Sequence, residues 1–454
     1  MSLALLENGV ECLPSLPDQT TAVIIDAMAM LQTVVRVPDR FCELAEMVMS
    51  RILTEAGEAA RIDFVGDQYP AISIKNTERN KRSRDGQLVV NVTNGQQLCP
   101  RQWRKFLANG KNKTNLLSFL VREWSENAVY AQKIKDRTFF VTHRENCTKL
   151  VAPNGSTTAS NVPELCTNQE EPDTRMFLHA EHASQNGHQR IAIKSSDTDV
   201  EVLACYYQAV ISADIILISG TSRRSCIVSI RRVCERLGRE ICEILPSLHA
   251  ITGCDSVSAF STKGKKKALD VVQMNPALRQ TLGSLGERVP ARQDDLNKLE
   301  RFVCALYNDH LCQSVNELRY KLFCKSKSLQ SHQLPPTKEA LENHLKRANY
   351  QSFIWKHALQ TEVNQSPDGQ GWQQKNGQLE IYWTNQAPAP QAVMELICCR
   401  CKGSCQTRRC SCVSNGLPCT EACTCQDNCL NCISKDDSED DDSDDDTDGD
   451  EYES

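Results

Sequence analysis

The sequence predicts an α/β protein: a mostly parallel sheet flanked by helices, then a helical domain, a small cysteine-rich zinc module and a disordered acidic tail. Three observations lead there. From Thr20 to about Val272, short β-rich apolar runs alternate with amphipathic stretches of helical period, as in a mostly parallel sheet. Eleven of the 24 cysteines crowd into the 35 residues from Cys398 to Cys432. The last 19 residues, Asp436 to Ser454, hold thirteen acidic side chains and no basic one, a composition that self-repulsion keeps disordered.

Taken in order, the expected strands are AVIID (22–26), RIDFVGD (61–67), RTFFVTH (137–143), RIAIKSSD (190–197) and ADIILIS (213–219). Helical period marks 40–56, 114–127, 173–187 and 198–210, each beside a strand. Residues 82–110 lack clean periodicity and read as a long exposed connection. From about Asp294 to His357 the pattern is helical again, broken at Leu334-Pro335-Pro336-Thr337, where Thr337 is a plausible N-cap. The expected division is 20–275 for the α/β domain, 276–364 helical, 365–395 a Gln-, Gly- and Pro-rich linker, 396–433 the zinc module and 434–454 the tail.

A 454-residue chain that is 40% hydrophobic and 24% charged has room for two or three globular domains. No apolar run approaches the ~20 residues that span a bilayer. The start, MSLALLENGVECLP, has no basic region followed by a long apolar one, so an intracellular, nuclear protein is expected rather than a secreted one. The net charge of −6 hides a basic body: residues 1–435 carry 52 positive and 45 negative side chains, a balance of +7. The tail then either competes with nucleic acid for those cations or simply solubilises the chain.

Cysteines in C-x-C pairs are too close to form relaxed disulfides with one another, whereas tetrahedral zinc gathers four sulfurs from short, turn-rich chain. Zinc is therefore expected on Cys399, Cys401, Cys405, Cys410, Cys412, Cys419, Cys423, Cys425, Cys429 and Cys432. A purely structural zinc knob and a disulfide scaffold are the alternatives; thirteen further cysteines scattered through the body count against the second. Cys205, Cys226 and Cys254 sit in apolar runs and read as core thiols. The spacing C-x-C-x3-C-x4-C-x-C-x6-C-x3-C-x-C-x3-C-x2-C resembles the CXC (tesmin/TSO1-like) module of chromatin and DNA-binding proteins. That resemblance implies a cluster of roughly three zinc ions sharing bridging thiolates. It also implies DNA contact through the interleaved Arg400, Lys402, Arg408 and Arg409. Arg409 stands where many relatives carry a groove-entering tyrosine, and an arginine also suits a narrow minor groove.

The acidic residues supply the second chemistry. Asp26 ends the first strand, Asp67 follows the second, Asp197 and Asp199 follow a later one, and Asp255 follows Gly253 and Cys254. Open α/β sheets bind ligands at the carboxyl ends of their strands, so these segments deliver acids to one rim, joined by Glu171 and Asp173 at the start of a helix. An aspartate at a strand end is otherwise a cap or turn residue, and His179 with His182, at i and i+3, reads as one face of a surface helix, with a ligand pair as the alternative. Clustered carboxylates raise one another's pKa, and hard Mg2+ or Mn2+ ions relieve the repulsion. Two such ions about 4 Å apart suit phosphodiester cleavage.

The order of these motifs resembles the PIN-like nucleases and, within them, the flap-endonuclease (XPG-like) branch. The matching residues are Asp26; Asp67 with the basic run Lys75, Arg79, Lys81, Arg82 and Arg84; Glu171 and Asp173; Asp197 and Asp199; and Gly253-Cys254-Asp255. The resemblance implies a PIN-like fold over 20–275 and a Mg2+- or Mn2+-dependent endonuclease acting on single-stranded or branched DNA, with RNA as another possible substrate. Residues 256–272, SVSAFSTKGKKKALDVV, resemble a degenerate helix-hairpin-helix, with Lys265 and Lys266 facing phosphates. The stretch from Arg82 to Trp124 occupies the place of the arch, where Arg101, Arg104 and Lys105 follow phosphates and Trp103 or Phe106 stacks on bases or packs in the core. The chain lacks the Met-Gly start of that branch and reads as a shortened member. The whole order resembles animal CXC-domain proteins that are mobile-element-like in copy number. A catalytically silent DNA-binding or chromatin protein, with the α/β domain as scaffold, is the other reading.

Overall fold

The computed structural model describes residues 12–17, 20–70, 73–74, 89–221, 224–325, 331–384, 399–414, 418–419, 423–425 and 429–431. It divides into two compact units, Met1–Gln313 with Lys338–Thr384, and Ser314–Thr337 with Asn385–Ser454. The strands are β1 (Ala22–Asp26), β2 (Arg61–Val65), β3 (Thr138–His143), β4 (Asn146–Val151), β5 (Thr158–Asn161), β6 (Arg190–Lys194), β7 (Asp214–Thr221), β8 (Arg224–Ser229), β9 (Trp372–Lys375) and β10 (Gln378–Ile381). The helices through the sheet region are α1 (Ala27–Gln32), α2 (Phe41–Ala56), α3 (Trp103–Leu107), α4 (Gly110–Glu126), α5 (Val129–Ile134), α6 (Pro172–Gln185) and α7 (Thr198–Tyr207). Beyond β8 come α8 (Ile230–Leu237), α9 (Arg239–Thr252), α10 (Lys265–Gln273), α11 (Pro276–Ser284), α12 (Gln293–Leu306), α13 (Val315–Lys325), α14 (Lys338–Lys356) and α15 (Ser411–Ser414).

The eight-stranded sheet runs β5-β4-β3-β2-β1-β6-β7-β8. Its middle five strands, β3-β2-β1-β6-β7, are parallel, and β4, β5 and β8 add antiparallel edges. The chain winds outward from β1 through β2 to β3, then returns to pair β6 against the other side of β1. The order therefore reverses between β1 and β6, where an open α/β sheet has its ligand crevice. Every residue of β1 and of β2 is buried, as expected for central strands covered on both faces.

Helices α2 and α4 pack over one face with an aromatic core. Trp124 lies edge-on to Phe64 and Phe139, each at 6.0 Å, and its indole N–H donates to the Ala45 carbonyl at 3.1 Å. Trp103 and Phe106 belong to this core rather than to an exposed arch. Trp103 donates to the Leu31 carbonyl at 2.9 Å and stacks on Phe106 at 5.1 Å. The short helix α3 turns the two rings inward, so they are not presented to bases.

A polar cluster sits beneath the sheet where the sequence suggested a solvent-facing helix. Asp63, in the middle of β2, accepts two hydrogen bonds from Arg61 at 2.8 Å each and lies 2.7 Å from His179 Nδ1. His179 is fully buried because the first half of α6 lies against the sheet, and its ring answers a charge the strand has already placed there. Arg61 also reaches His182 at 2.9 Å and covers the Phe140 ring. Burial raises the Asp63 pKa, but Arg61 and His179 outweigh it and hold the carboxyl at about 2.

Of the expected 365–395 linker, residues 385–395 lie outside the described residues, and part of the remainder is regular. Residues 372–381 form the antiparallel β9–β10 hairpin, and Trp372 and Leu379 pack with Tyr350 of α14. Helix α14 itself belongs to the first unit, so residues 338–364 do not stand apart as a helical domain. Cys226 is not a core thiol: it is joined by a disulfide to Cys12, with Cα atoms 5.3 Å apart. The adjoining Leu13 amide donates to the Ile227 carbonyl at 2.7 Å, which lays the segment along edge strand β8. Among the described residues, no helix is long and apolar enough to cross a membrane. The acidic tail from Asp436 lies outside the described residues.

Candidate carboxylate site and thiol cluster

The strand register brings the first two acids to the same rim. Asp26 is the last residue of β1, opposite Val65 at the end of β2, so Asp67 stands two residues past Asp26's partner. Asp26 also caps α1, accepting from the Ala29 amide at 2.9 Å. Its carboxyl is pushed up to about 7, first by burial and then by Asp67, with Asp197 adding to the rise and amides of Ala29 and Met28 opposing it. The three residues come from β1, the β2 exit and the β6 exit, on both sides of the reversal point. Burial is the larger cause of the rise, and the neighbouring acids add to it.

Asp67 accepts from the Tyr69 hydroxyl at 2.6 Å, and Lys113 of α4 lies over the Tyr69 ring. Behind this turn, Arg175 donates to the Gly66 carbonyl at 2.9 Å. Burial lowers the Arg175 pKa to about 10, while neighbours including Asp67 oppose the fall. Glu171 immediately precedes α6 and Asp173 lies in its first turn, both buried. The Gln68 amide donates to the Glu170 carbonyl at 2.9 Å and ties their loop to the Asp67 loop.

Asp197 caps α7, is exposed and accepts from the Asp199 amide at 2.9 Å. Asp199 is buried in the first turn of α7, with Oδ1 2.8 Å from His249 Nε2 of α9. Asp255 is exposed in the turn between Cys254 and Val257. Its neighbour Cys254 is raised to about 11 by burial, with Asp199 and then Glu171 among the further causes, so this segment runs past both acids. The turn needs a glycine at 253: φ is +111°, and a Cβ there would lie 2.8 Å from the Ala259 backbone.

The carboxylates are less tightly gathered than the thiols. Among the described residues, ligand atoms lying within 4.8 Å of one another in groups of three or more are cysteine sulfurs.

The basic residues divide. Lys75, Arg79 and Arg82 lie outside the described residues, while Arg104 and Lys266 are exposed. Lys265 turns inward, donating to the carbonyls of His249 and Gly253 and approaching Thr252, where it caps the end of α9. Burial lowers its pKa to about 8.

In the second unit, nine cysteines of the expected set are described, eight of them buried and Cys401 half-buried; Cys432 lies outside the described residues. Cys399 is 3.8, 4.0 and 3.7 Å from the sulfurs of Cys405, Cys419 and Cys425. Cys410–Cys419 and Cys412–Cys423 are both 3.7 Å apart. Tetrahedral zinc with sulfur at about 2.3 Å needs sulfurs about 3.8 Å apart, so these spacings fit the ion. Three quartets lie within 4.8 Å and all include Cys399: with Cys401, Cys405 and Cys410; with Cys410, Cys412 and Cys419; and with Cys405, Cys419 and Cys425. Arg400, Lys402, Arg408 and Arg409 are all exposed around this buried knot.

The sequence reading missed His249, Tyr69 and Arg175. His249 carried one signal, a polar ring inside the apolar helix run EILPSLHAIT directly before Gly253.

No protein-family model matches the chain, and no curated protein matches it. The bacteriophage T5 D15 protein, co-crystallised with metal ions, is 13% identical over 74% of this chain and 91% of that chain, with a TM-score of 0.37. A variant of the bacteriophage T5 D15 flap endonuclease, in a pseudo-enzyme-product complex with DNA and metal ions, is 14% identical over 75% and 99%, with a TM-score of 0.34. Both are distant structural similarities.

Proposed function

We propose that this chain is a nuclear, divalent-metal-dependent DNA nuclease of flap-endonuclease-like specificity, brought to duplex DNA by a zinc-binding CXC module. One observation supports it above the rest: Asp26 at the end of β1, Asp67 just past β2 and Asp197 just past β6 come from three adjacent parallel strands that leave the sheet on the same side. Asp26, Asp67, Glu171, Asp173, Asp197, Asp199 and Asp255 would hold Mg2+ or Mn2+. When bound, such ions activate water as a nucleophile and stabilise charge on the leaving oxygen of a phosphodiester.

The protein's own part is to place these acids. Asp26 and Asp197 are fixed by the helices they cap, Asp67 by the Tyr69 hydroxyl and the Gly66 carbonyl held by Arg175. In the second unit, the exposed arginines and lysine supply phosphate contacts and the thiols fit zinc.

Purified full-length protein should cut a fluorescent flap or splayed-arm DNA with Mn2+. Asp197→Asn with Asp199→Asn should abolish cutting and leave DNA binding intact. The exposed cations around the thiols also support a second reading, a DNA-binding CXC protein with a silent α/β scaffold; binding without cleavage of DNA or RNA favours it.

A further inference from the structure

His249 lies in the last turn of α9 and is buried, at 1% exposure. Its Nε2 is 2.8 Å from Asp199 Oδ1, while its Nδ1 is buried with no hydrogen-bond partner among the described residues. A carboxylate oxygen accepts only, so the bond places the proton on Nε2. A proton on Nδ1 would instead leave a buried donor unmatched, at roughly 1–3 kcal/mol.

The ring is held in turn. Trp355 of α14 packs 5.6 Å from it, and the Trp355 carbonyl accepts from Tyr207 of α7 at 2.6 Å. Tyr207 also accepts from the Ala358 amide at 3.0 Å. One brace therefore clamps the helix that carries Asp199 and the ring that touches it. Helix α14 also reaches the next segment, with Gln351 accepting from Ser256 at 2.6 Å and His344 Nε2 lying 2.8 Å from the Ile251 carbonyl.

We propose that His249 is a positioning residue: its Nε2–H fixes the plane of the Asp199 carboxylate, so that Asp199 meets a divalent cation without first reorganising. This rests on the nuclease reading of the rim. A ring at hydrogen-bond distance behind a ligating carboxylate sets the ligand's orientation, and its loss typically weakens metal affinity about 10- to 100-fold.

The test is a Mn2+ titration of the zinc-loaded full chain without DNA, followed by electron paramagnetic resonance of free Mn2+, with Asp197→Asn/Asp199→Asn as the blank. His249→Leu, which keeps bulk and loses the donor, should weaken binding about 10- to 100-fold. His249→Gln, which keeps an N–H near the Nε2 position, should recover most of the loss. Ring-nitrogen NMR of the parent should show Nε2 protonated and Nδ1 bare, a readout independent of how any variant folds. Equal Mn2+ affinity in His249→Leu and parent, or the opposite tautomer, overturns the positioning role alone. A parent that binds no more Mn2+ than the blank overturns the nuclease reading and this role together.

Discussion

Asp67 stands beside Asp26 where β2 and β1 end, and next to burial its charge is the main reason the Asp26 carboxyl titrates near 7 instead of 3.8. A carboxyl whose folded pKa is raised binds its proton more tightly in the folded state than in the unfolded state. Its contribution to stability therefore falls as pH rises from about 4 to about 7 and stays low above that. Asp26→Asn should melt higher than the parent at pH 8 in metal-free buffer, with the gap closing towards pH 4. Added Mn2+ should close it at pH 8 as well, by stabilising the parent. A gap independent of both pH and Mn2+, read by calorimetry, contradicts the crowding of charge at this rim.

Asp63 is the opposite case. Its carboxyl is held at about 2 by Arg61 and His179, so its contribution is present above about 4 and is lost as pH falls towards 2. Asp63→Asn leaves a buried guanidinium without its counter-charge and should cost about 3–5 kcal/mol near neutral pH. Chemical denaturation in zinc-containing buffer measures this, and a cost under about 1 kcal/mol would show that the cluster has other support.

The thiol knot should depend on metal for its shape and on its rim for binding. Metal analysis of the full chain should find roughly three zinc ions, and a chelator should abolish most duplex affinity. Arg408→Ala and Arg409→Ala should each lower the slope of log affinity against log salt by about 1. Duplex binding that survives complete zinc removal places the DNA contact elsewhere.

The acidic tail should compete with DNA for the same cations. Truncation after Lys435 removes thirteen acidic side chains and no basic ones, and it should tighten DNA binding at low salt. Unchanged affinity in a low-salt fluorescence titration leaves the tail a solubilising role.

Much of this fold was legible because its central elements carry strong patterns. AVIID matches β1 residue for residue, and the expected helix at 40–56 differs from Phe41–Ala56 by one position, since buried strands and amphipathic helices are written in apolar spacing. The edges were not legible. NCTKLV and TASN, now β4 and the edge strand β5, have no clean alternation, and each owes its place to its neighbours' hydrogen bonds. The Cys12–Cys226 bond joins positions 214 residues apart, which no local pattern encodes. Carboxylates at strand ends could be placed on one rim by topology alone, whereas His249, the inward turn of Lys265 and the burial of Trp103 are tertiary facts.

If separate strand exits assemble one cation site, the ion itself should be visible there. Anomalous diffraction at the manganese edge from a Mn2+-soaked crystal tests it most directly. Mn2+ should be held by carboxylate oxygens of Asp26, Asp67 and the Asp197–Asp199 turn, at about 2.0–2.2 Å. A crystal with that rim accessible and no manganese within roughly 10 Å of Asp26 contradicts it.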